Sequence, residues 1–172
     1  MSNSSKQSTS EVDAPKDFDF LFGSWHIHNR RLDNPLSESS PWSEFEATSD
    51  AYPILRKLGN VQTYDAPNFP GRPGFQGYAL RLFDPDTGLW RIWWASTAGR
   101  GQLDTPVVGT FRDGVGQFDG EDVIGGRNIG VRFLWTEITD TSARWEQSFS
   151  FDGGKTFIPN WIMLHERDTG AA

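Results

Sequence analysis

The stretch 88–96, Gly-Leu-Trp-Arg-Ile-Trp-Trp-Ala-Ser, constrains the fold more than any other part of the chain. It carries three of the chain's eight tryptophans, Trp90, Trp93 and Trp94, within five residues. Aromatic side chains favour strands, because a pleated surface gives their rings lateral neighbours. Alternation along a strand puts Trp90, Ile92 and Trp94 on one face, and Leu89, Arg91, Trp93 and Ala95 on the other. A strand with large rings on both faces is covered on both sides, or lines a cavity on one. The remaining chain must supply that second surface.

At 172 residues one domain is the default. Residues 1–16 are rich in serine and lack an apolar segment, so they read as a disordered lead-in and not as a signal peptide. The domain is expected over 17–168. Residues 17–23 suit a short helical turn, with Asp17 as cap and Gly23 as stop, whose Phe18, Leu21 and Phe22 plug a barrel end. Alternating segments follow at 24–32, 42–49, 58–64, 75–83 and 88–96, then at 107–112, 115–118, 129–138, 142–151 and 156–166. Turn-forming sequences separate them: Asp84-Pro85-Asp86-Thr87-Gly88, Asp113-Gly114 and Asp152-Gly153-Gly154-Lys155. Residues 67–74 and 120–127 read as loops. This pattern predicts an all-β fold, an antiparallel up-and-down barrel of about ten strands with a short N-terminal helical turn. A β-sandwich is the competing architecture.

Composition narrows the function. The net charge is −7 and no basic block stands out, which argues against nucleic acid and anionic membranes as partners. The absence of cysteine removes disulfides, thiol nucleophiles and thiolate-bound metal, and fits a cytoplasmic setting. No apolar run approaches the roughly 20 residues of a membrane helix. The expected partner is a small molecule, and the pattern is compatible with a homodimer.

Phe20-Leu21-Phe22-Gly23-Ser24-Trp25 resembles the opening of calycin-superfamily chains, in which a helical turn precedes Gly-x-Trp on the first strand. Further phrases extend the likeness over residues 18–167. These are Arg30-Arg31-Leu32, Leu80-Arg81-Leu82-Phe83-Asp84-Pro85, Trp90-Arg91-Ile92-Trp93-Trp94, Pro106-Val107-Val108-Gly109, Ala143-Arg144-Trp145-Glu146-Gln147 and Asn160-Trp161. Together they resemble a family of uncharacterised bacterial lipocalin-like domains, distantly nitrobindin-like. The resemblance implies a barrel with an internal cavity and transfers no reaction. Residues 150–157 separately resemble the Asp-box hairpin of sialidases, a structural device in which Asp152 satisfies turn backbone.

Candidate chemistry is sparse. His26 and His28 share a strand face, but that face alternates with Trp25 and Ile27 and is expected outside; no metal site is expected. His165 lies late in the chain, where nitrobindin-like barrels carry a haem-ligating histidine, which makes haem or nitric oxide chemistry one alternative. No cofactor is otherwise implied. Arg31 shares a face with Trp25, Ile27 and Asn29 and is the leading inward arginine; its fork suits a carboxylate. Gln147 is expected inward and Glu146 outward. Asn160 and Trp161 are neighbours of which one points in, Trp161 being favoured. The expected ligand-binding set is Asn29, Arg31, Arg81, Trp93, Trp135, Trp145, Gln147, Trp161 and His165. The main functional expectation is binding of a small, partly aromatic or hydrophobic metabolite in the barrel. The enzymatic alternative is a cyclase, isomerase or lyase, with Arg31, Glu46 and Gln147 as catalytic candidates.

Overall fold

The structure is a computed structural model that describes residues 13–170. The expected disorder of residues 1–16 falls mostly on residues 1–12, outside the described residues. Ten strands form one closed antiparallel barrel. They are β1 (Gly23–Leu32), β2 (Trp42–Ile54), β3 (Gly59–Ala66), β4 (Phe75–Asp84), β5 (Leu89–Ser96), β6 (Val107–Arg112), β7 (Val115–Ile124), β8 (Arg127–Thr136), β9 (Ser142–Ser150) and β10 (Ile158–Arg167). Each strand pairs with its neighbours in sequence, and β1 pairs with β10 to close the ring. This is the up-and-down order that short turns enforce. The β-sandwich alternative is excluded, because no strand leaves the single sheet.

Alternation sets the interior. Trp25, Ile27 and Asn29 on β1, Phe45 and Ala47 on β2, and Trp90 and Ile92 on β5 are all buried. Two strands run well past their expected ends, the other boundaries shifting by at most two residues. β2 continues past Ser49 to Ile54, and β7 runs through Asp122 to Ile124, so the expected loop 120–127 is mostly strand. Its charged residues mimic a loop in composition because they sit where the barrel wall meets water. Only Gly125 and Gly126 make the turn, both with positive φ.

β10 breaks strict alternation. A register shift between Pro159 and Trp161 is a β-bulge, which inserts one extra residue. Asn160 and Trp161 are consequently both buried, at 1% and 7% exposure, so the expectation that only one turns inward does not hold.

One barrel end is plugged. A 3₁₀ turn, Asp19–Leu21, precedes β1. Phe18 beneath it meets Trp90 and Phe111 edge-on at 4.9 and 5.0 Å, and Phe20 meets Trp135 at 5.4 Å. Phe20, not the expected Phe22, therefore joins Phe18 and Leu21 in the plug. Asp17 does not cap the turn; its carboxylate accepts a hydrogen bond from Trp90 Nε1 at 2.9 Å and ties the plug to β5. Arg167 completes this end. Its guanidinium donates to the Phe20, Phe22 and Asp140 carbonyls and lies 4.2 Å from the Trp25 ring.

Closure at β6 depends on a glycine. A Cβ at Gly109 would stand 1.8 Å from the Gln117 carbonyl oxygen, a backbone atom that cannot swing away. Gly109→Ala is expected to destabilise the barrel by about 1–3 kcal/mol, as overpacking does. A urea titration checks this, and an unchanged midpoint would show that the close β6–β7 approach is not required.

The hairpin between β9 and β10 behaves as its sequence implies. Asp152 accepts hydrogen bonds from Ser150 Oγ, the Lys155 and Thr156 amides and Thr156 Oγ1. These bonds, that from Thr156 Oγ1 foremost, hold its carboxyl down at about 2. Asp152→Ala is expected to abolish slow hydrogen exchange at the Lys155 and Thr156 amides and lower the melting temperature. Asp152→Asn is expected to be milder, since it keeps one acceptor.

A cavity with a cationic floor and an acidic mouth

Between the plug and the opposite end lies a cavity of about 110 Å³. For scale, an apolar cavity of about 150 Å³ admits benzene. Its walls are rings: Tyr64, Trp94, Phe133, Trp145, Phe149 and Trp161. Several touch edge to face, as Trp145 and Trp161 do at 5.9 Å, the arrangement that ring quadrupoles favour. Asn29 fixes two of them. Its Oδ1 accepts from Tyr64 Oη at 2.8 Å and from Trp161 Nε1 at 3.0 Å.

The floor, above the plug, holds Arg81, Trp135 and His165. Arg81 is 3% exposed. Its Nη1 and Nη2 donate to Asn60 Oδ1 at 3.0 Å and Gln62 Oε1 at 2.6 Å, both neutral acceptors. Its guanidinium carbon stands 5.0 Å from the Phe18 ring centre and 5.9 Å from that of Trp135. Burial pulls its pKa down to about 9, so it is still cationic at neutral pH. His165 stands against Trp135 and Trp25, with ring centres 5.0 and 5.9 Å away. Burial pulls its pKa down to about 3; the Met163 backbone opposes this, and Arg81 pushes the same way as burial. His165 is therefore neutral across the physiological range. Arg81 Nε, Trp135 Nε1 and both His165 ring nitrogens are buried without a hydrogen-bonding partner.

The mouth is acidic. Asp104 and Asp122 line it with Thr105, whose Oγ1 donates to Asp122 Oδ1 at 3.4 Å. The Asp104 carboxyl is raised above its ordinary value by burial first and then by Asp122.

Six of the nine expected ligand-binding residues line this cavity: Arg81, Trp135, Trp145, Gln147, Trp161 and His165. The other three do not. Trp93 sits on the outer face of β5, since Trp90, Ile92 and Trp94 take the inner one. Asn29 is inward, but its oxygen is committed to Tyr64 and Trp161. Arg31 is inward too, yet its guanidinium lies between the rings of Phe69, 5.2 Å away, and Trp161, 5.3 Å away. Phe69 belongs to the loop 67–74 and covers Arg31 from that end. Among the catalytic candidates, Glu46 is outside with a 71% exposed side chain and contacts His28 Nδ1 at 2.5 Å. Gln147 is in the lining and donates to Asn160 Oδ1 at 2.8 Å. His26 and His28 point outward as expected, each beside a carboxylate. Sequence reasoning missed Asp104, Thr105, Asp122, Gln62, Tyr64 and Trp94 as lining residues. For Trp94 the signal was present, in its shared face with Ile92.

Fold and cavity together define a closed, lipocalin-like β-barrel with an aromatic interior. No protein-family model matches the chain, and no curated protein sequence matches it. Among solved structures it is similar to the S-type phycobiliprotein lyase CPES from Guillardia theta, with a TM-score of 0.56 at 10% identity, over 88% of this chain and 90% of that one. A redesigned β-barrel aligns at a TM-score of 0.48 and 12% identity, over 91% of this chain and 99% of that one. At these identities the likeness is one of fold. The likeness to the lyase supports the resemblance seen in sequence at the level of the barrel, not at that of a sequence family. Among the described residues no helix is long and apolar enough to cross a membrane.

Proposed function

We propose that the barrel binds a small, partly aromatic or hydrophobic molecule in its cavity. The observation that carries this reading is the lining itself: a wall of rings with few polar groups, which are concentrated at floor and mouth. Small-molecule sites have this composition. The lyase-type fold of the neighbouring structure fits a barrel that holds a guest.

Acid–base catalysis finds less support. Of the ionisable groups on the floor, His165 has its pKa near 3 and Arg81 near 9, and neither exchanges a proton readily at neutral pH. Haem finds less still. A cavity of about 110 Å³ is on the scale of a single ring, far short of a porphyrin, and Trp135 and Trp25 already pack against His165.

Four of the eight tryptophans face the cavity, so occupancy is readable in their fluorescence. Titration with small single-ring aromatic compounds is expected to shift or quench the emission. Ala79→Phe, which places a ring in the cavity, is expected to weaken that response at least about tenfold, as steric exclusion does. A wild-type protein blind to every compound tried would overturn the proposal.

A further inference from the structure

We infer that the floor of the cavity is a carboxylate-binding subsite, in which Arg81, Trp135 and His165 receive the acid group of a ligand whose apolar body lies among the rings. This rests on the binding function proposed above and names the class of ligand: an aromatic or otherwise apolar monocarboxylate, acid end innermost.

The argument begins with an unbalanced charge. Arg81 is buried, and no carboxylate faces it among the described residues; its two hydrogen-bonded partners are the neutral side chains of Asn60 and Gln62. Burying a cation without a counter-charge is costly, and so is burying a donor without an acceptor. Both costs meet in one place. Arg81 Nε and Trp135 Nε1 are orphaned donors, and neutral His165 adds an N–H with no acceptor. A carboxylate has about four lone-pair sites and no proton to donate, so it complements such a group of donors. It also supplies the missing negative charge in a dry setting, where charge-assisted hydrogen bonds are strongest.

The protein already makes use of the donors that face elsewhere. Asn60 and Gln62 hold two guanidinium nitrogens and fix the plane of the fork, leaving the third unpartnered. Phe18 in the plug supports the same guanidinium from a ring. The mouth acts in the opposite sense. Asp104 and Asp122 repel a second acid group there, which sets the direction of the ligand and disfavours dicarboxylates.

Three probes of one shape test this with the full-length protein at pH 7.5: phenylacetate, phenylacetamide and toluene, titrated calorimetrically. Phenylacetate is expected to bind about tenfold or more tightly than phenylacetamide, the discrimination a charge-assisted contact gives. Arg81→Met should remove that preference and leave toluene within about threefold of wild type, since the apolar wall is untouched. Trp135→Phe keeps a ring and drops one donor; it should weaken phenylacetate about threefold or more, and toluene hardly at all. The Trp135 variant and the wild-type acid-to-amide ratio decide the matter even if the Arg81 variant does not fold. Toluene binding without preference for the acid would overturn the carboxylate subsite and spare the cavity. Silence from all three probes would overturn the binding function as well.

Discussion

The free energy of unfolding is expected to fall by about 1.4 kcal/mol for every pH unit between 6.5 and about 3, because of His165. The imidazole is buried neutral, so its folded pKa lies below its unfolded value of 6.5. Above 6.5 neither state binds the proton and the group has no pH effect. Below 6.5 the unfolded chain binds a proton that the folded barrel refuses, and stability drops as pH falls. Below about 3 both states are protonated and the slope ends. The whole window amounts to roughly 5 kcal/mol, comparable with the total stability of many domains. Other groups act elsewhere or oppositely. Asp152, held at about 2, loses its contribution only below the ordinary carboxylate value of 3.8. Asp104 is raised, so it works weakly the other way, from a solvated mouth. Urea unfolding at pH 7.0, 6.0, 5.0 and 4.5 on wild type and His165→Leu isolates the effect. The variant should lose the slope and be at least as stable as wild type at neutral pH, since Leu buries no unsatisfied nitrogen. Parallel pH profiles for the two proteins would show that His165 is hydrated or charged in the folded state.

Phe18→Ala is expected to cost about 3–5 kcal/mol, the range for truncating a buried phenylalanine. Phe18 is 1% exposed and touches Trp90, Phe111, Phe118 and the Arg81 guanidinium, so its loss empties the centre of the plug. Denaturant titration measures the cost. A second readout separates the plug from ordinary core. Water admitted at this end should solvate Arg81, so the emission of nearby Trp90 and Trp135 should move to longer wavelength in the folded variant. A loss under about 1 kcal/mol would mean that the barrel closes without its plug.

These two residues show how far sequence reached. The face of nearly every strand was legible from alternation: Trp25 and Ile27 inward, His26 and His28 outward, Trp90 and Trp94 together. The turns Asp113-Gly114 and Asp152-Gly153-Gly154-Lys155 announced themselves by residue type. Depth along the barrel was not legible. Alternation favoured Arg31 through its face shared with Trp25 and Ile27, yet Arg31 and Arg81 both point inward. What separates them is non-local: Phe69, on a loop, covers Arg31 and keeps it out of the cavity, whereas Arg81 lines the cavity floor. Glu46 failed as a candidate for a local reason that could have been applied, since Phe45 and Ala47 occupy the inner face. Asp104 and Asp122 were missed because polar residues at a barrel rim have the composition of a loop. The bulge at Asn160 left no mark in the alternation that sequence could show.

The seam between β1 and β10 carries a consequence for how the molecule comes into being. Arg167 reaches back across 145 residues to the Phe22 carbonyl, and every ladder bond of that seam joins opposite ends of the domain. During synthesis the first strand emerges with one edge bare and waits for a partner made last. Pairings this remote in sequence slow folding, and an unpaired edge invites association with other chains in the meantime. A ribosome-stalled chain ending before Ile158 should therefore bind chaperones that the finished protein ignores.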